Sequence, residues 1–328
     1  MNGKMTKEHF ICSFCGGTSS RICFQASDFD RSIEQFELEQ CTVCELALTM
    51  PTPEPTMMDR YYQEAYYGSG NKKFSDMIEF LTVLGCKLRA KRILKKISVI
   101  KSDDGVNRVL DVGCGRANLL RALLELGCEC HGTERSTFPT DSNLTGINVF
   151  KGSLTEGEYK DAFFDAVSIW HVLEHLHQPF GTLDEIARIT RKGGILVVAV
   201  PNFLSLQSKW FKSDWFHLDL PRHLYHFCVG NLCQVLEQKG YSIDAVSTNS
   251  MEQNIFGFIQ SFMNKLKFLG KPNEFYQLIK KRSGVKQTFK LMFWMIVAAL
   301  ILPFAMLEYV ISCMSKRGAC AIVFAHKV

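Results

Sequence analysis

Between Arg108 and Ala117 the chain reads Arg-Val-Leu-Asp-Val-Gly-Cys-Gly-Arg-Ala, and Asn118 to Leu126 continue as a leucine-rich segment closed by Gly127. That is the pattern of a buried strand, a glycine turn and a helix. Gly113 and Gly115 lack the Cβ atoms that would hold a ligand off the backbone. The helix start behind them offers unpaired N–H groups at the positive end of the helix dipole. The corner is therefore expected to bind a nucleotide-like ligand. Asp111, in the last turn of the strand, suits a ligand that also carries positive charge. A second apolar run, Cys128 to Thr133, ends on Glu134, roughly twenty residues past the glycines, where a carboxylate can hold a ribose diol. Ala117 stands where a dinucleotide fingerprint has its third glycine, so an NAD-dependent dehydrogenase is a minor alternative.

With 328 residues, 47% of them hydrophobic, the chain can bury one large core or two smaller ones. The formal charge is only +5 and no stretch interleaves dense basic and aromatic residues, so no nucleic-acid partner is expected. Thirteen cysteines, an odd number with no targeting segment ahead of them, argue for a reducing, cytoplasmic compartment rather than a disulfide framework. Cys12 and Cys15 form one CxxC pair and Cys41 and Cys44 another, with 25 residues between the pairs. That spacing lets four thiolates meet around one structural zinc, with Phe36 to Gln40 as the strand that brings the second pair beside the first. The alternative is two knuckles that pack as small apolar residues, and Cys23 is a further thiol nearby. The expected domains are a zinc ribbon over 1–55, a core over 56–250 and 319–328, and a hydrophobic insertion over 251–318. The proline-rich stretch 50–56 connects the first two. The cluster Tyr61, Tyr62, Tyr66 and Tyr67 either covers the ligand or glues ribbon to core, and 74–97 reads as a helix with an apolar stripe.

With Asp111, Gly113 and Gly115 in the order Asp-x-Gly-x-Gly, the chain resembles the class I S-adenosylmethionine-dependent methyltransferases over roughly Ala65 to Val246 plus its last strand. The resemblance implies a doubly wound, seven-stranded Rossmann-like α/β sheet. Its sixth strand is Tyr241 to Val246 and its seventh, antiparallel strand is Ala319 to Ala325. It places Asp111 near the methionine end of S-adenosylmethionine and Gly113 and Gly115 beside it. Glu134 takes the ribose hydroxyls, Gly152, Ser153 and Leu154 lie by the adenine, and Trp170 completes the cofactor set. The family often has Asp where this chain has Ser153. Strand four, Ala166 to Trp170, ends in the Trp-His-Val-Leu-Glu-His run of a large subgroup, in which the Pro-Arg-His-Leu-Tyr-His-Phe string of 221–227 also recurs.

His171, Glu174 and His175 are spaced i, i+3, i+4, so on a helix they share one face. Written His-x-x-Glu-His, the run also matches an inverted zinc-protease signature. In the similar ubiquinone-pathway O-methyltransferases it reads Glu-x-x-Glu-His and goes with a divalent metal near the acceptor, so a metal near Glu174 and His175 is one expectation. A second is that His171 or His175 is the general base for a hydroxyl acceptor. A third is that Glu174 and His175 only order a helix start, with His177 a solvated neighbour before a helix-breaking Gln178-Pro179. The loop from Trp210 to Phe227 reads as a lid. Its Arg222 is a candidate for a phosphate or carboxylate, and His223 and His226 are further candidate bases unless they only fix the entry to a helix over 231–239.

The insertion contains Phe256 to Leu269, apolar with lysines, and Leu291 to Leu307, which has no charge. The second run is slightly short of a membrane span and is interrupted by Pro303 and Glu308. Because strand seven must return to the sheet, an in-plane or re-entrant membrane segment is expected, with the basic residues of 280–290 and Lys316 and Arg317 on an anionic surface. A buried hairpin or a homodimer interface is the alternative. The combined expectation is peripheral membrane association and O-methylation of an amphiphilic acceptor, a lipid-linked sugar, an isoprenoid or a quinol. Methylation of a nucleotide-linked sugar is the alternative within the enzymes. A non-catalytic scaffold whose ribbon binds a partner is the alternative outside them.

Overall fold

In the computed structural model of the chain, the described residues are 10–28, 34–62, 76–97, 105–135, 144–280 and 285–328. Tyr66, Tyr67, Lys281 and Arg282 fall outside them. Near the N-terminus three strands follow one another, β1 (Ser20–Ser27), β2 (Gln35–Cys41) and β3 (Ala47–Met50). Then come β4 (Arg108–Val112), β5 (Glu129–Glu134), β6 (Ile147–Lys151), β7 (Phe164–Trp170) and β8 (Thr190–Pro201). The last three are the short β9 (Tyr225–His226), β10 (Tyr241–Ser247) and β11 (Cys320–Lys327).

Seven strands form one sheet in the order β10-β11-β8-β7-β4-β5-β6. All pairings are parallel except those of β11, which is antiparallel to both neighbours. This is the doubly wound sheet with one reversed strand that the sequence implied. The side-chain period of 2 sorts each strand between two cores. Val109 and Ala166 face the layer of α1 (Asp76–Ile97) and α2 (Asn118–Leu124), while Leu110 and Val167 face that of α3 (Pro179–Ile189) and α5 (Val229–Gln238). Between the last two, α4 covers Leu206–Phe211.

The run after β7 corrects an expectation. His171 takes a left-handed φ of 53°, and only a single 3₁₀ turn, Leu173–His175, follows, so the stretch is not an α-helix. Gln178-Pro179 does not break a helix but starts α3. Pro179 occupies its first turn, where the missing N–H has no partner to lose. His177 is no solvated bystander either, since its Nε2 donates to the carbonyl of Pro53 at 2.9 Å.

The ribbon sheet is likewise larger than its own segment. Its order is β1-β2-β3-β9, so the fourth strand is supplied by the Leu-Tyr-His stretch expected to form a lid. The insertion consists of α6 (Met251–Lys265), α7 (Glu274–Lys280) and α8 (Val285–Ser315). It leaves and rejoins the sheet at a single neck. There Asn202 N–H donates to Ala319 O at 2.8 Å, and a Cβ built on Gly318 would lie 2.0 Å from the carbonyl oxygen of Thr248. Because the obstacle is backbone, Gly318→Ala should destabilise the fold by about 1–3 kcal/mol, read as a shift of the urea midpoint. An unchanged midpoint would mean that the neck is loose.

Candidate functional site

The glycine corner lies at the C-terminal edge of β4, where an open parallel sheet leaves its crevice. Gly113, Gly115 and Ala117 all take positive φ, 69°, 51° and 57°, so the turn winds left-handed at every second residue. A Cβ on Gly113 would strike Val172 at 2.5 Å, whereas one on Gly115 would meet nothing within 4 Å. Gly113 is thus needed for packing, and Gly115 presents bare backbone to open space. The Gly115 N–H donates to Glu134 Oε2 at 3.0 Å, which holds that carboxylate across the crevice mouth.

Asp111 is buried, and burial raises its pKa to about 6, against the pull of Arg89. Arg89, on α1, went unnoticed in the sequence because it is one of several basic residues on that helix. Its guanidinium lies 3.1 Å from the centroid of the Trp170 ring, which ends β7, and close enough to Asp111 to act on its charge. Leu154 is buried beyond β6. Ser153 is engaged locally, its N–H and hydroxyl both donating to Glu156 Oε2 at 2.6 Å.

At the neighbouring edge, a cluster forms around Glu174, which is 1% exposed. The N–H of Leu224 donates to the Glu174 carbonyl at 2.9 Å and so brings the 217–227 loop against the turn after β7. His175 Nδ1 lies 3.0 Å from Arg222 O and 2.9 Å from the Tyr62 hydroxyl. His223 Nδ1 donates to His217 O at 3.0 Å, which fixes the tautomer and leaves Nε2 as a lone pair. That lone pair faces Glu174 Oε1 at 3.9 Å and Asp219 Oδ2 at 3.8 Å, while Glu174 Oε2 has no hydrogen-bond partner among the described residues. One donor atom from each of Glu174, His175 and His223 lies within 4.8 Å of the others, a geometry that can hold a cation.

Charge is ordered around this cluster. Burial disfavours the charged form of His223, and with His175 beside it the pKa falls to about 4, so His223 is neutral. For His171 burial works the same way but is outweighed by Cys320, 3.7 Å from Nε2, and by Glu174, 3.3 Å from Nδ1. Its pKa rises to about 10, so the protonated imidazole is favoured beside Glu174. Burial alone would protonate Glu174, yet His171 holds its pKa at about 2. Arg222, read from the sequence as an anion receptor, instead turns its fork onto Asp219, with Nε 3.0 Å from Oδ2, and also reaches Tyr61 O at 3.3 Å.

The ribbon cysteines meet as the spacing suggested. Cys12 and Cys44 are 3.5 Å apart at sulfur and Cys15 and Cys41 3.6 Å, close to the roughly 3.8 Å edge of a tetrahedron with metal–sulfur bonds of about 2.3 Å. Cys23 stands apart and leans on Gln40. Burial would raise the Cys41 pKa, but N–H groups of Cys44 and Val43 point at its sulfur and bring it down to about 7. From β3 the Thr49 hydroxyl donates to His223 O at 2.6 Å and accepts from His226 Nε2 at 2.9 Å. Burial pushes His226 down to about 3, so it serves as a neutral strut.

A family model described as a methyltransferase domain matches residues 84–272. The ubiquinone biosynthesis O-methyltransferase of Maricaulis maris is 27% identical over 155 residues, 42% of this chain and 60% of that protein. That of Colwellia psychrerythraea is 24% identical over 123 residues, 34% of this chain and 50% of that protein. The chain therefore spans 50–60% of the length of these two curated relatives. Among solved structures, a SAM dependent methyltransferase from Archaeoglobus fulgidus aligns with a TM-score of 0.46 at 20% identity, over 75% of this chain and 94% of that one.

Replacing Thr49 by isosteric Val leaves the buried His226 Nε2 and the His223 carbonyl without their partner. Thr49→Val should cost about 1–3 kcal/mol in denaturant, and a neutral result would remove the ribbon strand from the support of the cluster.

Proposed function

Because the chain belongs to the class I S-adenosylmethionine-dependent methyltransferases, we propose that it methylates a hydroxyl oxygen of a small amphiphilic acceptor of quinol type, at a membrane surface. The observation that carries this reading is the Glu174, His175 and His223 group beside the cofactor crevice. The two curated relatives, ubiquinone biosynthesis O-methyltransferases by name, support the quinol class.

The donor brings a methyl group already activated on a positively charged sulfur. This chain's residues then have to hold it, align the acceptor and take up a proton. The crevice suits such a donor, because Gly115 leaves open space against its backbone and Asp111 is a buried acid that a cationic ligand would complement. Asp111, Gly113 and Gly115 would bind its amino-acid end, with Arg89 toward the carboxylate. Glu134 would bind the ribose, and Leu154, Ser153 and Trp170 would line the remainder. A phenolic hydroxyl has a pKa near 10, so its proton must be drawn off at neutral pH. The neutral Nε2 of His223 is placed to accept it. Glu174, His175 and His223 would alternatively hold a divalent cation, which would occupy that same Nε2 lone pair and itself lower the pKa of a bound hydroxyl. The four ribbon thiols would hold a structural zinc, since four sulfur ligands leave no position open to water.

Three outcomes are expected. In calorimetric titration, S-adenosylmethionine binds at a level independent of pH above about 6 and weakens below it, as Asp111 takes up a proton and loses the charge that faces the ligand. Asp111→Asn flattens the profile and Glu134→Ala lowers affinity at every pH; unaltered binding in both variants would overturn the cofactor assignment. With a quinol acceptor, His223→Asn lowers kcat by about 10²–10⁴ while donor affinity stays constant. Turnover of a nucleotide-linked sugar in place of the quinol would reassign the acceptor. Metal analysis should find zinc that survives dialysis against a weak chelator and is lost in Cys44→Ser together with thermal stability; a zinc-free, stable wild type would contradict the ribbon site.

A further inference from the structure

Helix α8 is apolar on nearly every side, yet only one stripe of it is covered. The inward residues run from Leu291 through Trp294, Ala298, Ile301 and Ala305 to Glu308, alternately three and four apart. Such a strict a/d seam is the narrowest contact a helix makes, and it leaves five positions of each heptad uncovered. On a surface helix in water those positions are polar. Here they hold residues such as Phe289, Ile296, Leu300 and Phe304, the last two 70% and 65% exposed. The only charged residue between Lys290 and Lys316 is Glu308, and it turns inward to meet Gln207 Nε2 at 2.8 Å. An inward-facing acid and an apolar exterior are the arrangement of a helix whose outer solvent is hydrocarbon.

Charge decides between a lipid surface and a second copy. Residues 251–318 carry ten basic and three acidic side chains, a net of +7, whereas the rest of the chain carries 28 and 30, a net of −2. A two-fold contact through this element would bring +7 against +7. An anionic leaflet complements it. The lysines also flank exposed apolar residues: Phe268, 82% exposed, lies between Lys267 and Lys271, and half-exposed Trp210 lies between Lys209 and Lys212. Lys267 also pairs with Asp214 at 3.2 Å.

Length decides between spanning and lying in the plane. With 31 residues α8 is about 46 Å long, enough to cross a hydrocarbon core of about 30 Å. The outbound α6 has 15 residues, about 22 Å, and buries Asn254, Gln260 and Asn264, so it cannot make the reverse crossing. Both ends of the insertion are fixed at the same sheet edge by the Gly318 neck. We propose that the hairpin of α6, α7 and α8 docks this protein monotopically on an anionic bilayer. The outer face of α8 lies in the plane of the interface, and the acceptor edge of the sheet faces the lipid. This deepens the membrane element of the function proposed above, but its test requires no acceptor.

Full-length protein is floated with vesicles of phosphatidylcholine alone or mixed with phosphatidylglycerol. Wild type should rise with the mixed vesicles, less so at high salt. Lys271→Gln combined with Lys316→Gln should weaken binding on the order of 20-fold, and Leu300→Glu with Phe304→Glu should abolish it while S-adenosylmethionine titration stays unchanged. The Lys271 amine should remain open to a membrane-impermeant, amine-reactive biotin reagent added outside the vesicles. Failure of the wild type to float overturns the proposal. So does a dimer in light scattering that Leu300→Glu and Phe304→Glu dissociate without altering flotation, and so does protection of Lys271 until detergent is added, which would mean that the hairpin crosses. Loss of methyl transfer on quinols with flotation intact would refute the acceptor and leave the docking standing.

Discussion

Two backbone hydrogen bonds at one residue hold the ribbon and the sheet edge in register. Leu224 donates its N–H to the carbonyl of Glu174 at 2.9 Å and accepts at its own carbonyl from Thr49 N–H at 3.0 Å. Leu224 is 1% exposed, so water cannot take over either role, and an unmade bond there would leave a buried polar group unpaired. The same loop reaches the insertion, with His217 Nε2 donating to Gln253 O at 2.9 Å and Phe216 N–H to Ser261 Oγ at 2.8 Å. Ribbon, sheet edge and insertion therefore share one segment, and one apolar cluster runs from Leu38 of the ribbon through Trp215 to Trp294 of α8.

That shared segment explains how a buried carboxylate stays ionised beside the crevice. Glu174 without neighbours would be expelled or protonated, because desolvation of a charge costs several kcal/mol. His171 supplies the opposing charge, and its left-handed backbone turns the imidazole back over the strand end. His223 and His226 are kept neutral by burial and are each pinned by a defined partner, and Arg222 is neutralised by Asp219. The result is one negative centre with an open lone pair near it, produced by packing and not by a surplus of charge.

Much of this was legible in the sequence because it is local. A strand, a glycine turn and a leucine-rich helix announce themselves within the seventeen residues from Arg108 to Leu124, and the acid at the end of β5 follows from strand length. The CxxC pairs carry their geometry in their spacing. What escaped is long-range or lacks a period. A strand of two residues, Tyr225 and His226, has no alternation to read, and its partner in β3 lies more than 170 residues away, so the string reads as a lid. The run after β7 has the spacing of a helix face, but no residue type in it announces that His171 will turn left-handed and cut the helix to one 3₁₀ turn. The i, i+3 contact of His171 with Glu174 survives even so, across a left-handed residue that precedes the 3₁₀ turn, with Nδ1 3.3 Å from Oε1. Arg89 was hidden among other basic residues of α1. The seam of α8 was present as a repeat but invisible, since apolar residues fill the other positions as well.

The neck at Gly318 has a consequence for how such a chain can change. The sixth and seventh strands of the sheet are held in register by their own ladder and by the close approach of Thr248 to Gly318, and from the first turn of the insertion Asn254 Oδ1 accepts from Ala319 N–H at 3.3 Å. Beyond that first turn of α6 the ladder sets no length for the excursion. A two-residue turn or a 68-residue hairpin closes the same gap, because loop length adds little once the ends are fixed. The reach of the hairpin can therefore vary beyond the neck, while the glycine crevice stays with the sheet and the Glu174 cluster stays tied to the base of the insertion through His217 and Phe216.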